Sequence, residues 1–150
     1  MRSNSLTADF PQDPNSRNIT MGIARGRGRG VFARRSFSPG DLIERAPVIV
    51  IPEKQWPKLQ SSVLSIYAFD WGERDEQTAI ALGYVSIYNH SYSPNAKLEE
   101  ILEEMVMEIV ALKDIEPGKQ ITINYNGDPS NREPLWFNAV RKRNSSRKKG

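Results

Sequence analysis

The sequence contains no cysteine and only one histidine, His90. The missing cysteines exclude disulfides, iron–sulfur clusters, thiolate zinc sites and a cysteine nucleophile. A single histidine excludes a metal site built from several imidazoles. We therefore predict that the protein holds no metal, and that any chemistry it performs rests on carboxylates, tyrosines, amides and the one imidazole.

Long apolar runs are also missing. No run approaches the roughly 20 residues that a membrane-spanning helix needs, and residues 1–10 lack the apolar stretch of a signal peptide. A chain of 150 residues with a 38% hydrophobic fraction is large enough for one core. The sequence therefore predicts an intracellular protein, cytoplasmic or nuclear, that makes no contact with a membrane.

The charges are unevenly distributed. The formal net charge is +3, but residues 141–150 hold six bases and no acid, so the rest of the chain has more acids than bases. We interpret residues 141–150 as a basic disordered tail. The alternative is a patch that binds nucleic acid or an acidic partner. No aromatic residue lies among these bases, which disfavours stacking on single-stranded nucleic acid.

Apolar alternation and turn signals predict a mainly β domain with short helices. Residues 1–16 are polar and proline-containing, which is typical of a flexible leader. A short helix is predicted over residues 53–62. Residues 98–112 have a helical composition, but their apolar run and the neighbouring strands favour a hairpin. The other strands are predicted over residues 19–23, 42–51, 64–71 and 121–125.

Three features could carry chemistry, and each has a purely structural alternative. The glycine turn Gly26-Arg-Gly-Arg-Gly30 lets a ligand approach the backbone, but it lacks the spacing of a dinucleotide or phosphate loop. The segment Tyr88-Asn-His-Ser-Tyr-Ser-Pro-Asn95 is rich in polar side chains next to apolar strands, and these must bond either to backbone or to a ligand. Tyr125 is either a packed aromatic or a functional phenol.

The ordered set of three motifs resembles the SET-domain protein lysine methyltransferases. The motifs are Gly28-Arg-Gly-Val-Phe-Ala33, then Asn89-His-Ser91, then Gln120-Ile-Thr-Ile-Asn-Tyr125, which follows the turn Lys113-Asp-Ile-Glu-Pro-Gly118. The resemblance covers most of the chain, from about Ile19 to Phe137. It implies the small curved sheets of the SET (β-clip) fold, with a knot-like C-terminal arrangement in which the second and third motifs pass each other.

The resemblance also implies a cofactor and a site. S-adenosyl-L-methionine would bind on one face and a substrate lysine on the other, joined by a narrow channel. The catalytic residue would be Tyr125, and Tyr67 is the second candidate for a channel tyrosine, although packing in the core is its alternative. The residues implied to contact the cofactor are Arg27, Gly28, Arg29, Gly30, Tyr88, Asn89 and His90.

One departure from the family pattern concerns how the channel is closed. Many members have a cysteine after Asn-His-Ser and a cysteine-rich zinc segment after the catalytic domain, whereas this chain has Tyr92 and no cysteine. We therefore expect a domain over residues 17–127 and a flanking segment over residues 128–140 that closes the lysine channel. Within that segment, Trp136 and Phe137 either wall the channel or cap the core.

Two functions remain open from the sequence. The first is S-adenosylmethionine-dependent methylation of lysine in a histone or another basic protein. The alternative is a catalytically weak SET-like binding module whose basic tail holds an acidic or nucleic-acid partner. The absence of a flanking domain that reads the substrate makes a homodimer or a partner protein a further expectation.

Overall fold

The structure, a computed structural model, describes residues 17–135. The predicted leader and basic tail, together with Trp136 and Phe137, lie outside these residues. Residues 17 and 18 are helical. They are followed, within the described range, by one short α-helix, α1 (Trp56–Leu59), and by 3₁₀ turns at Glu53–Gln55, Val63–Ile66, Val85–Ile87 and Leu102–Glu104. The strands are β1 (Ile19–Ala24), β2 (Gly28–Ala33), β3 (Leu42–Ile51), β4 (Ala68–Trp71), β5 (Gln77–Ala81), β6 (Asn89–His90), β7 (Ala96–Ile101), β8 (Val106–Ala111) and β9 (Gln120–Ile123).

The smaller sheet has four strands in the order β1-β2-β9-β6. Strand β9 pairs antiparallel with β2, where Val31 lies opposite Ile121. It pairs in parallel with β6, where His90 lies opposite Ile123. This arrangement brings the three sequence motifs onto adjacent strands, although the knot-like crossing itself stays a prediction.

The larger sheet has five antiparallel strands in the order β4-β5-β3-β8-β7. Its central strand, β3, carries a register shift between Leu42 and Glu44. Alternation places Glu44 in phase with Ala46 and Val48, and all three side chains are buried. The face that β3 turns to the core therefore includes a carboxylate.

The core lies between the two sheets and the turns that join them. Apolar side chains from β2, β3, β8 and β9 meet there, including Val31, Ile43, Ile109 and Ile121, each at most 2% exposed. Burial of such side chains is the main favourable contribution to folding. No helix within residues 17–135 has the length and apolarity needed to cross a bilayer.

Most of the predicted elements are confirmed. The hairpin predicted over residues 98–112 is β7 and β8, and the strand predicted over residues 42–51 is β3. The strand predicted over residues 64–71 is wrong in its first half, because residues 63–66 form a 3₁₀ turn. The Ser62 hydroxyl caps this turn by accepting the backbone N–H of Leu64. The predicted strand at residues 19–23 is β1, but Ile23 is 80% exposed.

Candidate active site

The site is formed where β2, β6 and β9 lie side by side. The backbone of Gly28 to Gly30 is on β2, Asn89 and His90 form β6, and Tyr125 lies two residues beyond the end of β9. Since β6 and β9 are parallel, the residues that follow Ile123 pass beside His90. The sheet order, rather than closeness in sequence, brings these groups together.

Two hydrogen bonds join the glycine turn to the Asn-His-Ser segment. The Asn89 side-chain amide donates to the carbonyl of Arg29 at 3.0 Å. The Arg27 guanidinium donates to the carbonyl of His90 at 2.6 Å. The two motifs are therefore held as one unit before any ligand arrives.

Gly30 is buried at the point where these motifs meet. A Cβ atom on Gly30 would lie 2.9 Å from Asn89 Nδ2 and 3.0 Å from Gln120 Nε2. A larger residue at this position would displace the Asn89 side chain from its bond to Arg29. Glycine is therefore required here by the close approach of these two side chains. The approach of a ligand to the turn stays a prediction.

His90 acts as a hydrogen-bond acceptor toward the tyrosine segment. Its Nδ1 accepts the backbone N–H of Tyr125 at 3.0 Å, so the proton of the neutral ring is assigned to Nε2. That Nε2 is buried and has no hydrogen-bond partner among residues 17–135. Burial lowers the pKa of His90 below its ordinary value, and the Arg27 charge lowers it further. The imidazole is therefore neutral at neutral pH, and its Nε2–H is a buried donor without a partner among the described residues.

The Tyr125 hydroxyl is held in a defined position. It donates to the carbonyl of Tyr88 at 2.7 Å, and the ring is tilted against His90 with centroids 5.3 Å apart. Burial raises the pKa of the Tyr125 phenol, although the Arg27 charge and a hydrogen bond with the His90 backbone oppose the shift. The phenol therefore keeps its proton at neutral pH.

Tyr125 borders a cavity of about 190 Å³. Tyr67 lies in the same cavity, where its hydroxyl is 3.4 Å from the Arg29 guanidinium. The Tyr67 carbonyl also accepts a hydrogen bond from Ser86 Oγ at 3.1 Å. The lining residues are Arg27, Arg29, Ile66, Tyr67, Ser86, Ile87, Asn89 and Tyr125. Sequence reasoning missed Ile66, Ser86 and Ile87, which carry no motif that marks them.

Tyr88 contributes to the site through its backbone. Its side chain is 1% exposed, and its hydroxyl donates to Glu44 Oε2 at 2.8 Å. Its carbonyl is the group that faces Tyr125. Contact between Tyr88 and a cofactor stays a prediction, and the structure adds a second partner, Glu44, that the motifs do not mark.

The chain after Tyr125 turns back toward the site. The backbone carbonyl of Glu133 accepts from the Tyr92 hydroxyl at 3.0 Å and from the Asn126 amide at 2.7 Å. Leu135 is buried at 4% exposure. Tyr92, which stands where many family members have cysteine, therefore anchors the flanking segment at Glu133.

Known proteins with similar sequences and structures belong to the family that the three motifs resemble. The chain matches the SET domain family over residues 28–126. It is 28% identical over 112 residues to a Schizosaccharomyces pombe histone-lysine N-methyltransferase specific for lysine 37 of histone H3. The aligned residues cover 74% of this chain and 71% of that protein. It is also similar to a crystal structure of a Plasmodium falciparum candidate histone methyltransferase, with a TM-score of 0.61, 27% identity, and coverage of 81% of this chain and 97% of that one.

The fold and these relatives define the class as the protein-lysine methyltransferases. The chain belongs to the SET-domain family. The resemblance inferred from the three motifs is thus confirmed, and so is the mainly β SET fold.

The His90 contact leads to a prediction about pH. Protonation of Nδ1 would set two N–H groups against each other, so we expect methyl transfer to fall as the pH drops through the lowered pKa of His90, below 6.5. The unfolded chain binds this proton first, so stability should also decline as the pH falls below 6.5. Initial rates and thermal unfolding from about pH 5 to 8 measure both effects.

The control for this prediction is His90→Gln, whose side-chain oxygen can accept the Tyr125 N–H without titrating in this range. We expect its rate to be lower but flatter with pH at the acid end. An unchanged acid limb in His90→Gln would assign that limb to another group.

Proposed function

We propose that this chain transfers a methyl group from S-adenosyl-L-methionine to the side-chain amine of lysine in a protein substrate. The observation that carries the proposal is the Tyr125 hydroxyl, fixed on the Tyr88 carbonyl at the edge of a cavity. The glycine turn and the Asn-His-Ser segment border the same place. When bound, S-adenosylmethionine supplies the methyl group from its sulfonium.

The residues present fit this cofactor. Gly30 lets the Asn89 side chain lie against β2, where a Cβ atom would collide with it, and Asn89 borders the cavity. The buried and unpartnered Nε2–H of His90 offers a donor to a polar ligand, and the guanidinium groups of Arg27 and Arg29 suit a carboxylate. We infer that these groups, with Gly28, Tyr88 and Asn89, hold the cofactor.

The cavity can prepare a lysine for the reaction. A lysine amine has a pKa near 10.4, so only about one in a thousand is neutral at pH 7. The lining is mainly polar, and the positive charges of Arg27 and Arg29 in it disfavour a charged amine by like-charge repulsion. The Tyr125 hydroxyl and the Tyr88 carbonyl can then orient the neutral amine, because displacement at the methyl needs the reacting atoms roughly 3–3.5 Å apart.

The proposed substrate is a histone or another basic protein. Both relatives are described as histone methyltransferases, one of them provisionally. The acids outside the tail, including Glu73, Glu76 and Glu100, give this domain charge opposite to that of such a substrate. A protein of this kind would act in the cytoplasm or nucleus. We further propose that Trp136 and Phe137, which follow Leu135, close the lysine channel together with Tyr67.

The direct test is calorimetry with S-adenosylmethionine, followed by transfer of a labelled methyl group to histones or a cell lysate. We expect cofactor binding and a labelled lysine in a protein. If the chain binds the cofactor but labels no protein, the SET-like binding module becomes the better hypothesis. If it does neither, the proposed function is wrong.

Gly30→Ala tests the cofactor site itself. We expect it to weaken S-adenosylmethionine binding roughly tenfold or more, because the added Cβ displaces Asn89 from the glycine turn. The matched control is Gly22→Ala, on the strand position opposite Gly30, where the Cβ would meet only the ring of Phe32. Equal weakening in both variants would mean that the effect comes from the sheet rather than from the site.

A further inference from the structure

Glu44 is a fully buried carboxylate outside the cavity. It is 1% exposed. Its Oε1 accepts the backbone N–H of Tyr84 at 2.7 Å and its Oε2 accepts the Tyr88 hydroxyl at 2.8 Å. A buried carboxylate is costly unless such partners compensate it, so its presence in the core calls for an explanation.

The backbone at Gly83 and Tyr84 passes close to the Glu44 carboxylate. Gly83 has a φ of +71°, and a Cβ atom on it would lie 2.5 Å from Glu44 Oε1. A side chain at residue 83 would therefore both strain the backbone and displace the carboxylate. Glycine lets the chain pass close enough for the Tyr84 N–H to reach Glu44.

The two bonds fix both ends of one short segment. Tyr84 and Tyr88 flank the 3₁₀ turn Val85–Ile87, and Ser86 and Ile87 line the cavity. The last residue of this segment, Tyr88, presents the carbonyl that accepts the Tyr125 hydroxyl at 2.7 Å. A continuous path thus runs from the Glu44 carboxylate through Tyr88 to the Tyr125 phenol.

We propose that Glu44 is a positioning residue for methyl transfer, which sets the place of the Tyr88 carbonyl and thereby the direction of the Tyr125 hydroxyl. The proposal rests on the proposed function. Glu44 reaches no substrate, and its effect passes through the Tyr88 side chain. Burial and the Glu44 charge raise the pKa of Tyr88 far above its ordinary value, so this link stays protonated and intact throughout the working pH range.

A double-mutant cycle tests the path. We expect Glu44→Gln to lower kcat about tenfold, because small misplacements of reacting groups have effects of this size or larger. The KM values for cofactor and peptide should change less than about twofold. In a Tyr125→Phe background the same substitution should have almost no further effect on kcat, because the hydroxyl that Glu44 positions is absent.

The matched control is Glu108→Gln, on the neighbouring strand β8, where the carboxylate pairs with Arg45 at 3.1 Å. It has no bond to Tyr88, and we expect kcat to be unchanged. If Glu44→Gln lowered kcat equally with and without the Tyr125 hydroxyl, its role would be general support of the fold and the proposal would be overturned.

A second readout does not depend on activity. In protein labelled with ¹³C at the tyrosine ring, the Tyr125 signal, assigned from its loss in Tyr125→Phe, can be followed against pH. The bond to the Tyr88 carbonyl favours the protonated phenol, so we expect the Tyr125 pKa to fall when the carbonyl is released.

Tyr88→Phe keeps the Glu44 charge and removes only the link, so it separates position from charge and serves if Glu44→Gln fails to fold. We expect the Tyr125 pKa to fall in both variants. An unmoved Tyr125 signal in Tyr88→Phe overturns the proposal. A shift in that signal without any methyl transfer by the wild type would support the path while contradicting the proposed function.

Discussion

Tyr125→Phe is expected to lower kcat for methyl transfer by roughly 10²–10³-fold, the usual effect of removing one preorganised polar group from an active site. The hydroxyl is held on the Tyr88 carbonyl at 2.7 Å, so its position requires no reorganisation during the reaction. The phenyl ring of the variant preserves the packing against His90. Single-turnover rates with labelled cofactor, alongside cofactor affinity, measure the effect.

The control for this prediction is Tyr84→Phe. Tyr84 packs against the core and does not line the cavity, so loss of its hydroxyl should leave kcat within about twofold. The melting temperature of Tyr125→Phe should stay close to that of the wild type, since only one partly exposed hydroxyl is removed. If Tyr125→Phe kept the full rate, Tyr125 would be a packed aromatic and the proposed catalytic role would be wrong.

Asn95→Ala is expected to destabilise the protein by about 2–4 kcal/mol. Its side-chain amide donates to the Gln120 carbonyl at 2.9 Å, and its side-chain oxygen accepts the Thr122 N–H at 2.9 Å. Alanine would leave two groups of β9 without these partners in a partly buried place. A melting temperature lower by roughly 10 °C is expected in thermal unfolding.

Ser93→Ala is the comparison for Asn95→Ala, because Ser93 lies in the same turn and is exposed, with a hydroxyl that accepts from Lys113 at 3.2 Å. We expect its melting temperature to move by no more than a degree or two. A similarly small change in Asn95→Ala would mean that water replaces both bonds. The polar segment was predicted to bond either to backbone or to a ligand. Asn95 bonds to the backbone of β9, and contact of the segment with a ligand stays a prediction.

Local sequence patterns were sufficient to predict an element where its neighbouring residues all favour the same structure. The turn signal Ile115-Glu-Pro-Gly118 and the apolar strand that follows it indicate β9, and Gly118 adopts the positive φ that this turn needs. Strand β5 (Gln77–Ala81) was not predicted, because its apolar residues are few and mostly alanine. Its pairing with β3 and β4 creates the strand, and such long-range pairing is invisible locally.

The candidate site was also predicted only in part. The three motifs bring Gly30, Asn89, His90 and Tyr125 together as expected, because the family pattern marks each of them. Glu44 carries no motif, and an acid in a β-branched strand is ordinarily placed on the solvent face. Only the register of β3, which keeps Glu44 in phase with buried Ala46, reveals that it points inward.

The position of β9 between β2 and β6 has a consequence for how the protein is made. Strand β9, which lies between the glycine turn motif and the Asn-His-Ser segment, is synthesised after all the other described strands. It must pair residues as distant in the sequence as Val31 and Ile121. Pairings of this kind form slowly, since the loop must close before any contact stabilises it. A nascent chain that ends before Gln120 holds β2 and β6 without the strand between them. Methyl transfer is therefore a property that the domain acquires only once β9 has been synthesised, when the strands before it can already have paired.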